Sequence, residues 1–140
     1  MDTEWVLRQT ANPGYGMMQN MIQTGAGTPG YKLISAEETQ RAIDTDASVV
    51  LLDVRTPEEF RGGSGHIANS LLIPVQELER RINELSQYKD RTIIAYCRSG
   101  NRSGRAAAFL VRRGFSAMNM EGGIVKWNEL KLPVVHEKAP

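Results

Sequence analysis

The chain has 140 residues and a mass of 15.6 kDa, with 41% hydrophobic and 24% charged residues, enough for one packed domain of globular composition. Seventeen Lys and Arg face sixteen Asp and Glu, and a formal charge of +1 lacks the basic excess of a nucleic-acid binder. No apolar run approaches the roughly 18 residues that a membrane-spanning helix requires, so no membrane partner is expected.

In chain order, the first thirty residues stand apart. They begin Met1-Asp2-Thr3-Glu4, acidic where an export signal needs positive charge, which points to a cytoplasmic protein. No charged residue falls from Gln9 to Tyr31, and four of the six Met, counting Met1, lie in the first thirty positions. Residues 17–22 suit one or two helical turns, and the Gly- and Pro-containing stretch 25–30 suits a linker. Residues 1–30 are therefore expected to form a leader, either a mobile tail or a Met-rich arm that docks on a surface. Residues 31–135 read as a domain and 136–140 as a C-terminal tail.

Within the domain, strands are expected at 32–34, 49–54, 71–73, 92–96 and 117–120. Val49-Val50-Leu51-Leu52 and Ile93-Ile94-Ala95 are continuously apolar, as in strands covered on both faces. Ser35-Ala36-Glu37-Glu38 and Thr56-Pro57-Glu58-Glu59 are capping-box patterns that open helices, the second with Pro at the first helical position. Val75, Leu78, Ile82 and Leu85 predict one amphipathic helix. Residues 103–113 are apolar nearly all round and predict a buried helix that stops at Gly114. Alternating strands and helices give an α/β domain on a mostly parallel sheet.

Cys97 is the only cysteine, so no internal disulfide forms, and with only His66 and His136 beside it no structural zinc site or other cofactor is expected. It ends an apolar strand and precedes Arg98-Ser99-Gly100-Asn101-Arg102, which leads into the buried helix. Parallel sheets bind ligands at the carboxyl ends of their strands. A short loop running into a helix N-terminus aims amide groups at one point, and Gly100 permits the turn. An anion there is stabilised, and a thiolate is such an anion. Arg98 and Arg102 are expected to lower its pKa further and to suit a polyoxyanion. Six arginines and no acid lie between Asp90 and Glu121, with Arg112 and Arg113 read as a solvated face. Cys97 is thus expected to be a nucleophile, with residues 98–102 binding its substrate.

A Cys–loop–Arg arrangement serves phosphoryl or sulfur transfer. Thiol phosphatases enclose five residues between Cys and Arg, whereas Cys97 and Arg102 enclose four. The tighter ring suits a single sulfur atom. Phosphate esters also want a general acid for their leaving group, which the loop does not supply, whereas sulfite leaves as a stable anion.

Residues 31–135 resemble a single-domain rhodanese of the thiosulfate sulfurtransferase family. The resemblance runs through Leu52-Asp53-Val54-Arg55-Thr56-Pro57-Glu58-Glu59-Phe60, then Gly65-His66-Ile67-Ala68-Asn69-Ser70 leading into Leu71-Leu72-Ile73-Pro74. It continues through the loop Cys97-Arg98-Ser99-Gly100-Asn101-Arg102 and Glu121-Gly122-Gly123-Ile124-Val125-Lys126-Trp127 with Leu132-Pro133-Val134. Gly62-Gly63-Ser64 departs from the family, whose members often carry larger polar residues there. The resemblance implies a rhodanese-like fold, a five-stranded parallel sheet with helices on both faces. It also implies a Cys97 persulfide loaded from thiosulfate, with Arg98 or Arg102 receiving the sulfonate end and a low-molecular-weight thiol, thiol protein or cyanide unloading it. Partners would be small sulfur anions and a thiol acceptor, with the chain a monomer or weak dimer. Two competitors stay open: a phosphatase or arsenate-reducing relative, and a non-catalytic binding or redox-sensing module. Asp53 and Arg55 are expected to support the loop, as an ion pair more than as reactants. His66 is expected to pack against backbone, His136 to face solvent, Trp127 to pack, and Gly122-Gly123 to form a turn or widen access to the loop.

Overall fold

The computed structural model describes residues 30–136; the expected leader, with its helical turns at 17–22, and residues 137–140 of the tail lie outside the described residues. Strands β1 (Lys32–Ile34), β2 (Val50–Asp53), β3 (Leu71–Leu72), β4 (Thr92–Tyr96) and β5 (Ser116–Met120) form one five-stranded parallel sheet in the order β1-β5-β4-β2-β3. All five strands fall where the apolar runs predict them, with no end moved by more than one residue. The register sets Asp53 beside Tyr96 and Ala95 beside Asn119. The carboxyl ends of β2, β4 and β5 therefore finish together, and whatever follows them shares one edge.

Helices α1 (Ala36–Thr45), α2 (Pro57–Phe60), α3 (Asn101–Arg112) and α4 (Gly123–Glu129) complete the fold. The chain crosses the sheet in one direction from β1 to β2 and in the other from β3 through β4 to β5. Right-handed crossovers then put α1 on one face and α3 on the other. Helix α4 packs beside α1, and α3 packs on β4 and β5 next to Val75–Glu77. The α3 face holds the main core, where Ala106, Ala107 and Leu110 meet Leu52, Val54, Ile93, Leu78 and Leu85. Alanine at 106 and 107 lets the helix approach the sheet closely. Both capping boxes form as the sequence predicts, at Ser35/Glu38 and Thr56/Glu59.

One element differs from expectation. Instead of a single helix through Val75, Leu78, Ile82 and Leu85, the chain forms two 3-10 segments, Val75–Glu77 and Ile82–Tyr88. Pro74 offers no side-chain cap to start an α-helix. Val75/Leu78 and Ile82/Leu85 are each three residues apart, the repeat of the tighter coil. The Leu78 amide accordingly donates to the Val75 carbonyl at 3.2 Å and that of Glu84 to Arg81 at 2.9 Å. Arg81 braces the segment through Glu77 and Glu84, each at 2.9 Å. Among the described residues, no helix is long and apolar enough to cross a membrane.

Candidate active site

Strand β4 delivers Cys97 to the carboxyl edge of the sheet, and Arg98, Ser99 and Gly100 turn the chain into α3. Gly100 takes φ 115, a left-handed conformation that favours glycine. The turn folds backbone donors over the sulfur. Cys97 Sγ accepts from the Gly100 amide at 3.1 Å and the Ser103 amide at 3.4 Å, with the Ser103 hydroxyl at 3.3 Å. Cys97 is only 1% exposed and packs with the hydrophobic cluster beneath α3, while its sulfur also meets the hydrogen-bond donors of the loop. Burial pushes the thiol up, but the Ser103 hydroxyl and the amides of Ser103, Gly100 and Ser99 outweigh it. The net shift is below the ordinary thiol value.

The loop faces its amides inward because its carbonyls are held elsewhere. The Ile124 amide donates to the Cys97 carbonyl at 2.9 Å and the Val125 amide to the Arg98 carbonyl at 3.1 Å. These are orphan donors of the first turn of α4, satisfied by the loop. Gly122 and Gly123 take φ 79 and 58 to start that helix, and a Cβ on Gly123 would run into the Arg98 carbonyl. The glycine pair is thus a turn that clamps the loop.

The arginines behave differently from expectation. Arg102 does not turn to the sulfur. Its guanidinium forks onto the Glu59 carboxylate at 2.8 and 2.9 Å, from the first turn of α3 to α2. Glu59 also accepts from the Thr56 amide at 3.0 Å as part of its capping box, and Arg102 above all holds its carboxyl down at about 2. The positive charge of Arg102 is therefore largely matched, and although it still acts on Cys97 as an opposite charge, the hydrogen-bond donors of the loop lower the thiol most. Arg98 is exposed and lines a cleft of about 500 Å³ with Ile124, Val125 and Asn128; Ser99 and Asn101 are exposed on the loop.

A direct consequence can be measured. Arg102→Ala leaves a bare carboxylate near the loop and should raise the apparent pKa of the thiol, read as alkylation rate against pH. Arg102→Ala with Glu59→Gln should restore most of the original value. A double variant as shifted as the single would mean that the guanidinium acts on the sulfur directly.

Asp53 and Arg55 form a buried pair, 0% and 1% exposed. Arg55 Nη2 meets Asp53 Oδ2 at 2.7 Å and the Gly65 carbonyl at 2.9 Å, while Nη1 reaches Ser64 Oγ at 3.2 Å. The pair thereby ties the end of β2 to the Gly62-Gly63-Ser64 turn, and the guanidinium lies over the Tyr96 ring at 5.7 Å. His66 stacks on Phe60 with ring centroids 3.6 Å apart, and its Nδ1 lies 3.0 Å from the Phe60 carbonyl oxygen. Trp127 is buried and donates to the Pro133 carbonyl at 2.8 Å, whereas His136 is exposed.

Three neighbours of the site escape the sequence reading. In the sequence Ser103 reads only as part of a buried helix, although its place in the first turn aims both its amide and its hydroxyl at the cup. Asn119 is legible only as a polar residue in the apolar strand 117–120. Glu59 is hidden by its capping role, since its partner lies 43 residues away.

A family model described as a Rhodanese-like domain matches residues 35–130. A sulfurtransferase of Allochromatium vinosum is 40% identical over 98 residues, covering 69% of this chain and 87% of the relative. A tRNA uridine(34) hydroxylase of Cronobacter sakazakii is 29% identical over 93% of this chain, which spans only 39% of that protein. Among solved structures, a rhodanese-related protein of Thermoplasma volcanium superposes with a TM-score of 0.69 at 37% identity, covering 76% of this chain and 100% of that one.

Proposed function

The chain belongs to the rhodanese-like domain family, and from that premise we propose that it transfers sulfane sulfur through a persulfide on Cys97. The observation that carries this reading is the ring of amide and hydroxyl donors at 3.1 to 3.4 Å around a thiol whose pKa lies below the ordinary value. Such a cup suits a nucleophilic sulfur and the single negative sulfur atom that would replace it.

In the first step the thiolate attacks the outer sulfur of thiosulfate. A sulfur–sulfur bond forms to Cys97 while the bond to the sulfonate sulfur breaks, and the electron pair leaves with sulfite. The negative charge passes to the terminal sulfur, where the inward amides of the loop meet it. Arg98, exposed beside the cleft, receives the sulfonate end, because Arg102 is already engaged by Glu59. In the second step cyanide or a thiolate takes the terminal sulfur and restores the Cys97 thiolate. Ser99, Gly100 and Asn101 shape the substrate site, and Asp53 with Arg55 supports it from β2.

Intact mass after incubation with thiosulfate tests the proposal, with released sulfite measured alongside. One added sulfur atom, absent in Cys97→Ser, is the expected result. Vanadate-sensitive turnover of an aryl phosphate without added sulfur would establish a phosphatase instead, and neither signal would leave a binding module.

A further inference from the structure

Behind the thiol, two buried side chains continue a line that ends on a backbone carbonyl. Ser103 Oγ lies 3.3 Å from Cys97 Sγ and 2.6 Å from Asn119 Oδ1, and Asn119 Nδ2 donates to the Gly100 carbonyl at 3.2 Å. A carbonyl oxygen only accepts, so Gly100 fixes which end of the asparagine faces Ser103. Asn119 Oδ1 likewise only accepts. The Ser103 hydroxyl therefore has one proton and two acceptors within reach, and the shorter contact runs to Asn119. Both Ser103 and Asn119 are at most 5% exposed, where an acceptor left without a donor is costly.

We propose that Asn119 is a positioning residue for Cys97 that acts through Ser103: its side-chain oxygen competes with the sulfur for the single hydroxyl proton. With a neutral thiol, S–H points to Ser103 Oγ and the hydroxyl stays on Asn119. With a thiolate, the hydroxyl turns to Sγ and Asn119 Oδ1 loses its donor. Once Sγ carries a second sulfur, the charge sits on the outer atom, Sγ is a weak acceptor, and the hydroxyl returns to Asn119. Asn119 thus favours the neutral and sulfur-loaded states over the free thiolate. The statement about the loaded state rests on the sulfur-transfer reading; the competition for the proton does not.

The charged and titratable groups on the elements that build the cup are Arg98 on the loop, Arg102 held by Glu59 of α2 and Asp53 held by Arg55 at the end of β2; Glu121 follows β5, Lys126 belongs to α4, and the Tyr31 hydroxyl lies against Gly104 of α3 beside Asn119 Nδ2. An Asn119 substitution changes none of them, so they cancel in a comparison of variants.

The test is the rate of iodoacetamide alkylation against pH for the full chain, Asn119→Ala, Ser103→Ala and the double variant. Asn119→Ala is expected to lower the midpoint by roughly 0.5–1 pH unit, the size that one net hydrogen bond supplies. Ser103→Ala should raise it, and the double variant should match Ser103→Ala. A midpoint unmoved or raised in Asn119→Ala, or the same downward shift in the Ser103→Ala background, overturns the proposal. Asn119→Val suits a strand and carries the same expectation if the alanine variant does not fold. The titration needs no sulfur donor, so failure to load from thiosulfate would count against sulfur transfer and leave this result legible.

Discussion

Alanine at position 123 should dismantle the thiol cup. The added Cβ would enter the Arg98 carbonyl, which is backbone and cannot swing aside, and the position already sits at φ 58. Left-handed backbone alone costs about 1–2 kcal/mol for a residue with a Cβ. The collision brings the total to at least ~3 kcal/mol, within the range of strain at special backbone positions. Relief requires α4 to withdraw from the loop, which releases the Cys97 and Arg98 carbonyls and lets the amides turn away from the sulfur. A lower denaturant midpoint together with a thiol that titrates higher is the expected result. Two other glycines separate the causes. Gly114 has φ 90, but its added Cβ would meet only the flexible Lys89 Nζ at 3.4 Å, so its alanine variant should show the backbone term and an unaltered thiol. Gly63 has open space around it and no left-handed φ, so its variant should be neutral or stabilised by up to ~1 kcal/mol. A Gly123→Ala protein no less stable than Gly114→Ala would show that the close approach of α4 does not hold the loop.

Asp53→Asn should be about as damaging to stability by a different route. Arg55 is 1% exposed and takes its counter-charge from Asp53 through contacts at 2.7, 2.9 and 3.1 Å. The amide keeps the shape but removes the charge and presents a donor to a donor. Breaking one side of a buried pair typically costs about 3–5 kcal/mol, because the remaining ion is stranded in low dielectric. Removing both charges is a different experiment. Asp53→Asn with Arg55→Met should recover much of the loss, as apolar replacement of a buried pair often does. Urea unfolding of the single and double variants measures both. A single variant within about 1 kcal/mol of the original would mean that the guanidinium finds another partner or reaches solvent.

Much of this architecture is legible because its signals are local. Continuous apolar runs mark β2 and β4, capping boxes mark α1 and α2, and Cys97 between a strand and a glycine-containing turn marks the loop. What the sequence hides is pairing across distance. Glu59 reads as the last member of a capping box, and nothing adjacent to it announces Arg102. Arg98 and Arg102 look equivalent beside the cysteine, yet one is exposed at the cleft and the other is tied to α2. Ser103 and Asn119 meet only because β4 and β5 end, and α3 begins, at one edge of the sheet. The 75–85 segment misleads for another reason. Spacings of three and four suit an α-helix as well as two 3-10 turns, and burial of Leu78 and Leu85 together with the Arg81 contacts decides between them.

Buried amides and the Ser103 hydroxyl surround the sulfur, while Arg98, Ser99 and Asn101 are exposed on the same short loop. The outward side chains of Arg98, Ser99 and Asn101 can be exchanged without disturbing the dipoles beneath them. Under the proposed sulfur transfer, changes at these positions would alter which molecules dock while leaving the donors around the sulfur in place. Added salt, which screens surface ions, has little purchase on a charge kept by peptide groups.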